Sequence, residues 1–333
     1  MTLSSIGDRA RSFTMQNQTT RLKVELDRRS FEATTGRSGD IGQLLKGDFT
    51  PLSTIDASIA RLGAYKTATT EAALATSAMQ TVLATMDGLA SQLGASLVTV
   101  ASPGNPVSID AAGTDALTSF RTAVAAINGR LGDRTLFAGV ETRMPALAPA
   151  ENILDAMMVA VAGSLSASEV EFALDAWFAS SIGYVAEAYL GGAALGPMSI
   201  AADEAVTVDV TANDPAIRET LKGLGMAALL ARGVLAADFD QRAVLAGRAG
   251  TVLIEGATSR STVAARIGTA EARIAGASAR NSAEVTALGI ARTGIAAIDP
   301  YEAATELTNA ETQLDTLYAI TARLSRLSLA SYL

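Results

Sequence analysis

Cysteine and histidine are both absent from this chain of 333 residues. Without cysteine there is no disulfide framework, no thiolate nucleophile and no zinc–thiolate site. Without histidine there is no Ser-His-Asp triad, no imidazole base and no imidazole metal ligand. Acid–base chemistry would rest on carboxylates, lysine and tyrosine alone. Basic charge is also short: 26 Lys and Arg stand against 34 Asp and Glu, a formal net charge of −8. A nucleic-acid partner calls for clustered basic charge to neutralise phosphates, so none is expected. Aromatic residues make up only 5% of the chain, although hydrophobic residues make up 49%. Alanine supplies much of that apolar share, which suits closely packed helices. The longest uncharged run, Gly88 to Ile109, contains Pro103, Gly104 and Pro106 and cannot span a bilayer. No membrane association is expected. Met1 to Arg9 has no apolar run after a basic start, so no cleavable signal peptide is read there.

Motifs that would carry chemistry are equally scarce. Gly42-Gln-Leu-Leu-Lys-Gly47 has the glycine spacing of a phosphate loop, but Asp48 stands where lysine is required and would repel phosphate. Gly191-Gly192 and Gly196 lack dinucleotide-loop spacing and read as a turn. Neither G-x-S-x-G nor S-x-x-K occurs. The carboxylate pairs Asp203-Glu204 and Asp238 with Asp240 lie in polar, turn-like contexts and read as solvated surface. No segment has the calcium-loop pattern. No catalytic residue, cofactor site or metal site is assigned.

What the chain does have is uneven charge and long helical periodicity. Residues 141–239 hold 13 acidic and 4 basic side chains, and the flanks hold 21 and 22. This stretch also gathers aromatic residues, including the single tryptophan, Trp177. It reads as an acidic domain with its own core, inserted between two halves of another domain. Within it, 166–180 reads as a helix with Ser168 to Glu171 as a capping box and Phe172, Trp177 and Phe178 as core. Val206 to Val210 alternates as a strand, with Met198 to Ile200 as its hairpin partner. Asp214-Pro215 opens another helix. The fold class expected is mainly α: a long coiled-coil or bundle domain built from both chain ends, with a small inserted α/β domain.

In the flanks, Met79, Val82, Met86, Leu89, Leu93 and Leu97 recur at steps of three and four on one helical face. Pro103 to Pro106 ends that helix, and a second is expected over about Asp115 to Leu131. Ile267, Ile274, Asn281, Leu288 and Ile295 lie seven apart, with Ala270, Ala277, Ala291 and Ile298 filling an a/d seam. Arg266, Arg273 and Arg280 repeat at the same step, as a solvated basic face or a subunit contact. Both ends carry apolar stripes: Ile6, Phe13, Met15, Leu22, Leu26 and Ala33 at one, and Leu307, Ala310, Leu314, Leu317, Leu324 and Leu327 at the other. Asp299-Pro300 gives the latter helix an N-cap followed by proline at its first position. Isolated helices of this length are marginal in water, so the termini are expected to pack on each other or on copies of themselves.

Several of these segments together resemble a known family. Phe13-Thr-Met-Gln-Asn17, the helix through Arg21, Leu22 and Leu26, and Ala33-Thr-Thr-Gly36-Arg37 are similar to the N-terminal segment of flagellar axial proteins. Gly132-Asp-Arg-Thr-Leu-Phe-Ala-Gly139-Val-Glu-Thr142 resembles the segment closing their N-terminal helical domain. Ala265-Arg-Ile-Gly268 resembles a turn of their returning helix. Asp299-Pro-Tyr-Glu-Ala-Ala304 and Leu327-Ser-Leu-Ala-Ser-Tyr-Leu333 resemble the C-terminus of the hook–filament junction branch, the third hook-associated proteins. Ser38-Gly-Asp-Ile-Gly42 departs from the family's usual stretch there. The resemblance implies a non-enzymatic, extracellular part of the bacterial flagellum, exported through the flagellar apparatus without a cleavable signal. It implies division into 1–140, with 1–40 as an assembly helix; 141–239 as an outer domain; and 240–333, with 299–333 as the second assembly helix. The helices at 52–130 and 240–298 would form a rod. Implied partners are copies of the chain in a ring, the first hook-associated protein on the hook side, flagellin on the filament side, and an export chaperone at the C-terminal helix. Filament flagellin and a cytoplasmic coiled-coil adaptor are the alternatives.

Overall fold

The structure, a computed structural model, describes residues 6–102 and 105–330. Along the chain lie α1 (Ile6–Thr35), the short α2 (Ile41–Leu44), the long α3 (Thr50–Ala101) and α4 (Pro106–Ile127). A minimal ribbon follows, β1 (Arg130–Leu131) and β2 (Arg134–Thr135), then α5 (Ala150–Ala160) and α6 (Ala167–Ala179). A single π turn at Tyr184–Ala188 leads to the hairpin β3 (Met198–Ala201) and β4 (Glu204–Val206). Four helices complete the chain: α7 (Pro215–Ala231), α8 (Phe239–Glu255), α9 (Ala257–Ala296) and α10 (Pro300–Ala330). The fold is mainly α, as the periodicities require.

Local chemistry explains most boundaries. Asn105 caps α4 by accepting from the Val107 amide, with Pro106 at the first helical position. That helix therefore starts nine residues before the expected Asp115. The remaining residues of the expected turn, Pro103 and Gly104, lie outside the described residues. Asp214 caps α7 through the Ala216 amide, and Asp299 caps α10 through the Tyr301 amide. The capping box of α6 is Ser166 with Glu169, two residues earlier than expected. Ser166 accepts from the Glu169 amide, and the Glu169 carboxylate accepts from the Leu165 amide.

The chain divides into two compact units, residues 1–63 with 282–333 and residues 64–281; α3 and α9 contribute to both. In the second unit, α4 packs on α7, and α7 on α8. Phe120 and Ile127 of α4, Leu224 and Leu229 of α7 and Leu253 of α8 are all fully buried. Trp177, Phe178 and Tyr184 join that same core, edge to face and stacked, and so do not form a core of their own. Phe172, expected in the core, is instead 76% exposed, because Val170 and Leu174 occupy the inward face of α6.

The segment Gly132 to Thr142 is a fixed node of this unit. Phe137 is fully buried and its carbonyl accepts from the Ala212 amide at 2.9 Å. Gly139 has φ +60°, and a Cβ there would overlap the carbonyl oxygen of Ala193, so only glycine fits. The hairpin is present but shifted: Met198 pairs with Val206 and Ser199 with Ala205. Residues after Val206 lose strand pairing because β3 offers them no further partner. Ile200 and Val206 instead pack on Ala72, Ala270, Ile274 and Ala277.

The arginine repeat on α9 is a solvent-exposed face that also makes contacts within the chain. Arg266 pairs with Asp209 and Asp214 at 2.6 and 3.0 Å, Arg273 donates to the Ala205 carbonyl at 3.0 Å, and Arg280 pairs with Glu204. Hydrogen bonds donated to Asp209 and Asp214 outweigh desolvation and raise the pKa of Arg266. Asn281, the polar residue of the seam, is buried and donates to the Ile200 carbonyl at 2.8 Å. The heptad thus clips the acidic hairpin to α9 at successive turns.

Candidate assembly surface

In the unit made from the chain ends, α1 packs along α10. The pairing is antiparallel: Thr321 approaches Met15, with its hydroxyl 3.9 Å from the sulfur, while Arg29 lies 3.4 Å from Glu306. Along this seam, Met15, Leu22, Leu26, Leu307 and Leu314 are half-buried and Leu317 is buried, with Ala303 and Ala310 buried beside them. The structure therefore brings six of the ten expected interface residues together. Phe13 and Leu324 are exposed, at 66% and 40%. Ile6 and Leu327 lie within α1 and α10, but their side chains are outside the described set.

A charged cluster closes one end of the seam. Glu25 accepts from Arg28 and Arg29 at 2.6 and 2.7 Å, and Arg29 also reaches Glu32 at 3.1 Å. Burial opposes ionisation of Glu25, but the two arginine hydrogen bonds outweigh it and lower its pKa. Glu32 is buried and accepts from the Gly39 amide at 3.0 Å. The chain segments meet again just beyond α1. Gly36 ends the helix with φ +66°, Ser38 donates to the Ala296 carbonyl at 2.9 Å, and Ile298 donates to the Gly36 carbonyl at 3.1 Å. Arg292 of α9 pairs with Asp56 of α3 at 2.7 Å.

The pairing leaves apolar surface uncovered. Phe13, Val24 and Phe31 are 66%, 64% and 49% exposed. They are spaced by eleven and seven residues, close to whole numbers of helical turns, and so share one stripe on α1. Met15, Leu22 and Leu26 project on the opposite side. Phe13 thus belongs to a second stripe that steps of three and four do not reveal. On α10, Tyr318 and Ile320 are 45% and 46% exposed. A groove of about 680 Å³ runs between the two helices, floored by Leu22, Ala310 and Leu317 and edged by Arg21, Glu25 and Gln313. Among the described residues, no cluster of carboxylates could hold a metal, and no helix is long and apolar enough to cross a membrane.

Half of this helix pair has a known counterpart. Residues 252–333 match the bacterial flagellin C-terminal helical region. The matched stretch runs through α9 and α10 and covers about a quarter of the chain. No curated protein matches the chain.

Proposed function

We propose that this protein is a structural, non-enzymatic component of the bacterial flagellum, placed at the junction between hook and filament. The observation that carries the axial reading is the flagellin-type C-terminal region, whose last helix pairs with α1 while apolar stripes on both helices stay uncovered. Side chains such as Phe13, Val24, Phe31 and Ile320 each gain roughly 1.5–3 kcal/mol on full burial, and neighbouring subunits would supply it. Residues 1–40 and 299–333 then form the inner assembly layer, with Ile6, Phe13, Met15, Leu22, Leu26, Leu307, Leu314, Leu317, Leu324 and Leu327 as its apolar contacts. The acidic stretch 141–239 is the outer part, where its charge is hydrated.

The junction role rests on the ending Leu327 to Leu333, which resembles that branch more than flagellin. Its partners are copies of the chain in a ring, the first hook-associated protein and flagellin. Export through the flagellar apparatus, with a chaperone on α10 beforehand, belongs to the same reading. Filament flagellin is the second reading, favoured by the matched region itself, which is described for flagellins. Deleting the gene and imaging the cells, with flagellin assayed in the medium, separates them. Bare hooks with abundant secreted flagellin are expected for the junction protein. Bare hooks with none would mean this chain is the filament subunit, and normal filaments would overturn both.

A further inference from the structure

Within residues 64–281, the hairpin β3–β4 is thinly supported by apolar packing. Ile200 and Val206 are buried, but with Ala72, Ala270, Ile274 and Ala277 they form a small cluster set apart from the main core. The ladder is short and irregular between Ser199 and Ala201, and a two-stranded hairpin alone is marginal in water. Its residues Ser199 and Ala205 are exposed. On one flank, Met198 and Val208 line a hollow of about 450 Å³ together with Leu74, Met79 and Leu136. That flank is therefore incompletely packed.

Polar contacts with one face of α9 do most of the holding. Arg280 pairs with Glu204, which also lies 3.7 Å from Arg273. Arg273 donates to the Ala205 carbonyl at 3.0 Å, and Asn281 to the Ile200 carbonyl at 2.8 Å. Just beyond β4, Arg266 holds Asp209 and Asp214 at 2.6 and 3.0 Å. The side chains of Arg266, Arg273 and Arg280 stay 42%, 50% and 62% exposed, so dissolved salt reaches these pairs and screens them. Glu71, which lines the hollow, and Asp203, at the hairpin turn, add repulsion that salt also screens. The pairs in direct contact outweigh it, because Coulomb interaction falls with distance.

We infer that β3–β4 is a salt-released strap, which lifts from α9 as a unit while the main core stays folded. Lifting opens the hollow and bares the small apolar face of Ala72, Ala270 and Ala277. Segments with few buried apolar contacts and exposed polar ones open at the low end of a protein's stability range. The ionic strength of the surroundings then sets how often this face is bare. The strap works the same way whether or not the chain is flagellar.

Because the chain has no native cysteine, a single thiol can report the opening. Ala277→Cys places one in the hairpin's cluster, and Ala228→Cys places one on α7 in the main core; both positions are fully buried. Each full-length variant is treated with iodoacetamide at about 0.05 M and about 1 M sodium chloride, which cuts the screening length from more than about 10 Å to about 3 Å. The thiol under the strap is expected to react at least about tenfold faster than the core thiol, and severalfold faster again in high salt. The core thiol should not respond to salt. Adding Arg266→Gln and Arg280→Gln to the Ala277→Cys chain should raise its low-salt rate and remove most of its salt response. Hydrogen exchange of the unaltered chain guards against distortion by the new thiol: residues 198–206 should exchange faster in high salt, and residues 215–231 should not. Equal rates for the two thiols would mean that the hairpin opens only with the core. Fast labelling that ignores salt would mean that charge does not hold it. Either result overturns the strap, as does exchange over residues 198–206 that salt leaves unchanged.

Discussion

In the unit of residues 64–281, Phe120, Ile127, Met157 and Leu253 are fully buried among many neighbours. In the unit made from the chain ends, Glu32, Leu62, Ala303, Ala310 and Leu317 are the buried residues among the described side chains. Two of those five are alanine and one is a glutamate. The first unit closes its core within one chain. The second consists of long helices sharing a thin seam, and most helical stability in proteins comes from packing an amphipathic face. Flagellin-type sequence covers the C-terminal part of that thin seam. The difference teaches where the chain closes its own core and where it leaves apolar side chains uncovered.

The sharpest way to break this comparison is to cut equally deep in both units. Phe120→Ala opens a cavity in the closed core and is expected to cost about 3–5 kcal/mol. Leu317→Ala, on the edge of an open groove, is expected to cost about 2 kcal/mol or less, because water already reaches that side. Urea titration followed by Trp177 fluorescence reads the first, since the single tryptophan lies in that unit. Far-UV circular dichroism reads the second. Equal costs would mean the terminal seam is as well packed as the core. Next in size is Gly139→Ala. The positive φ alone costs about 1–3 kcal/mol, and the overlap with Ala193 adds to it. The same change at Gly132, where φ is +59° and no atom stands near the added Cβ, is expected to cost only the backbone part.

Much of this architecture is legible in residue order, and the failures share a cause. Asp214-Pro215 and Asp299-Pro300 mark helix starts because an N-cap and a proline act within three residues. The seam from Ile267 to Asn281 is legible because helical periodicity is local. The place of the capping box is not legible locally, because Ser166 to Glu169 and Ser168 to Glu171 both fit the pattern and only tertiary contact decides. Glu171 is drawn away to Arg248, whose guanidinium also reaches Ser168 at 2.9 Å. The arginine repeat was legible as a repeat, but its partners Glu204, Asp209 and Asp214 lie 52 to 76 residues away. Pairing over such distances leaves no local trace. Of the candidate interface, the inner seam could be read from steps of three and four. The outer stripe of Phe13, Val24 and Phe31 could have been found only by testing spacings of seven and eleven.

That outer stripe gives a prediction of opposite character. Replacing Phe13, Val24 and Phe31 together with serine should leave the stability of the isolated chain within about 0.5 kcal/mol per site, as exposed substitutions usually do. Incorporation into flagella, scored by immunoblot of sheared filaments, should fall sharply. Removing residues 300–333 should likewise abolish incorporation while Trp177 fluorescence stays native. A serine triple variant that incorporates normally would show that the stripe faces solvent in the assembly too.

The smallest expected effect distinguishes the two units by pH. Glu25 has its pKa lowered from an ordinary 4.5, burial opposing ionisation but hydrogen bonds from Arg28 and Arg29 prevailing. A carboxylate with a depressed folded-state pKa contributes stability that is present above its unfolded value and is lost as pH falls through the folded one. Acidification below about 4.5 should therefore weaken α1, whose own Arg28 and Arg29 hold Glu25, and neutral to basic pH should leave it unchanged. The contribution is modest, because Glu25 is 36% exposed and water screens the pair. Helicity should begin to fall at a higher pH than the unfolding red shift of Trp177 fluorescence, since Trp177 packs edge to face on Phe178 and Tyr184 in the closed core. In a Glu25→Gln variant the early step should shrink while the later one stays in place. Coincident transitions in the unaltered chain would mean that the chain ends and the core unfold as one body.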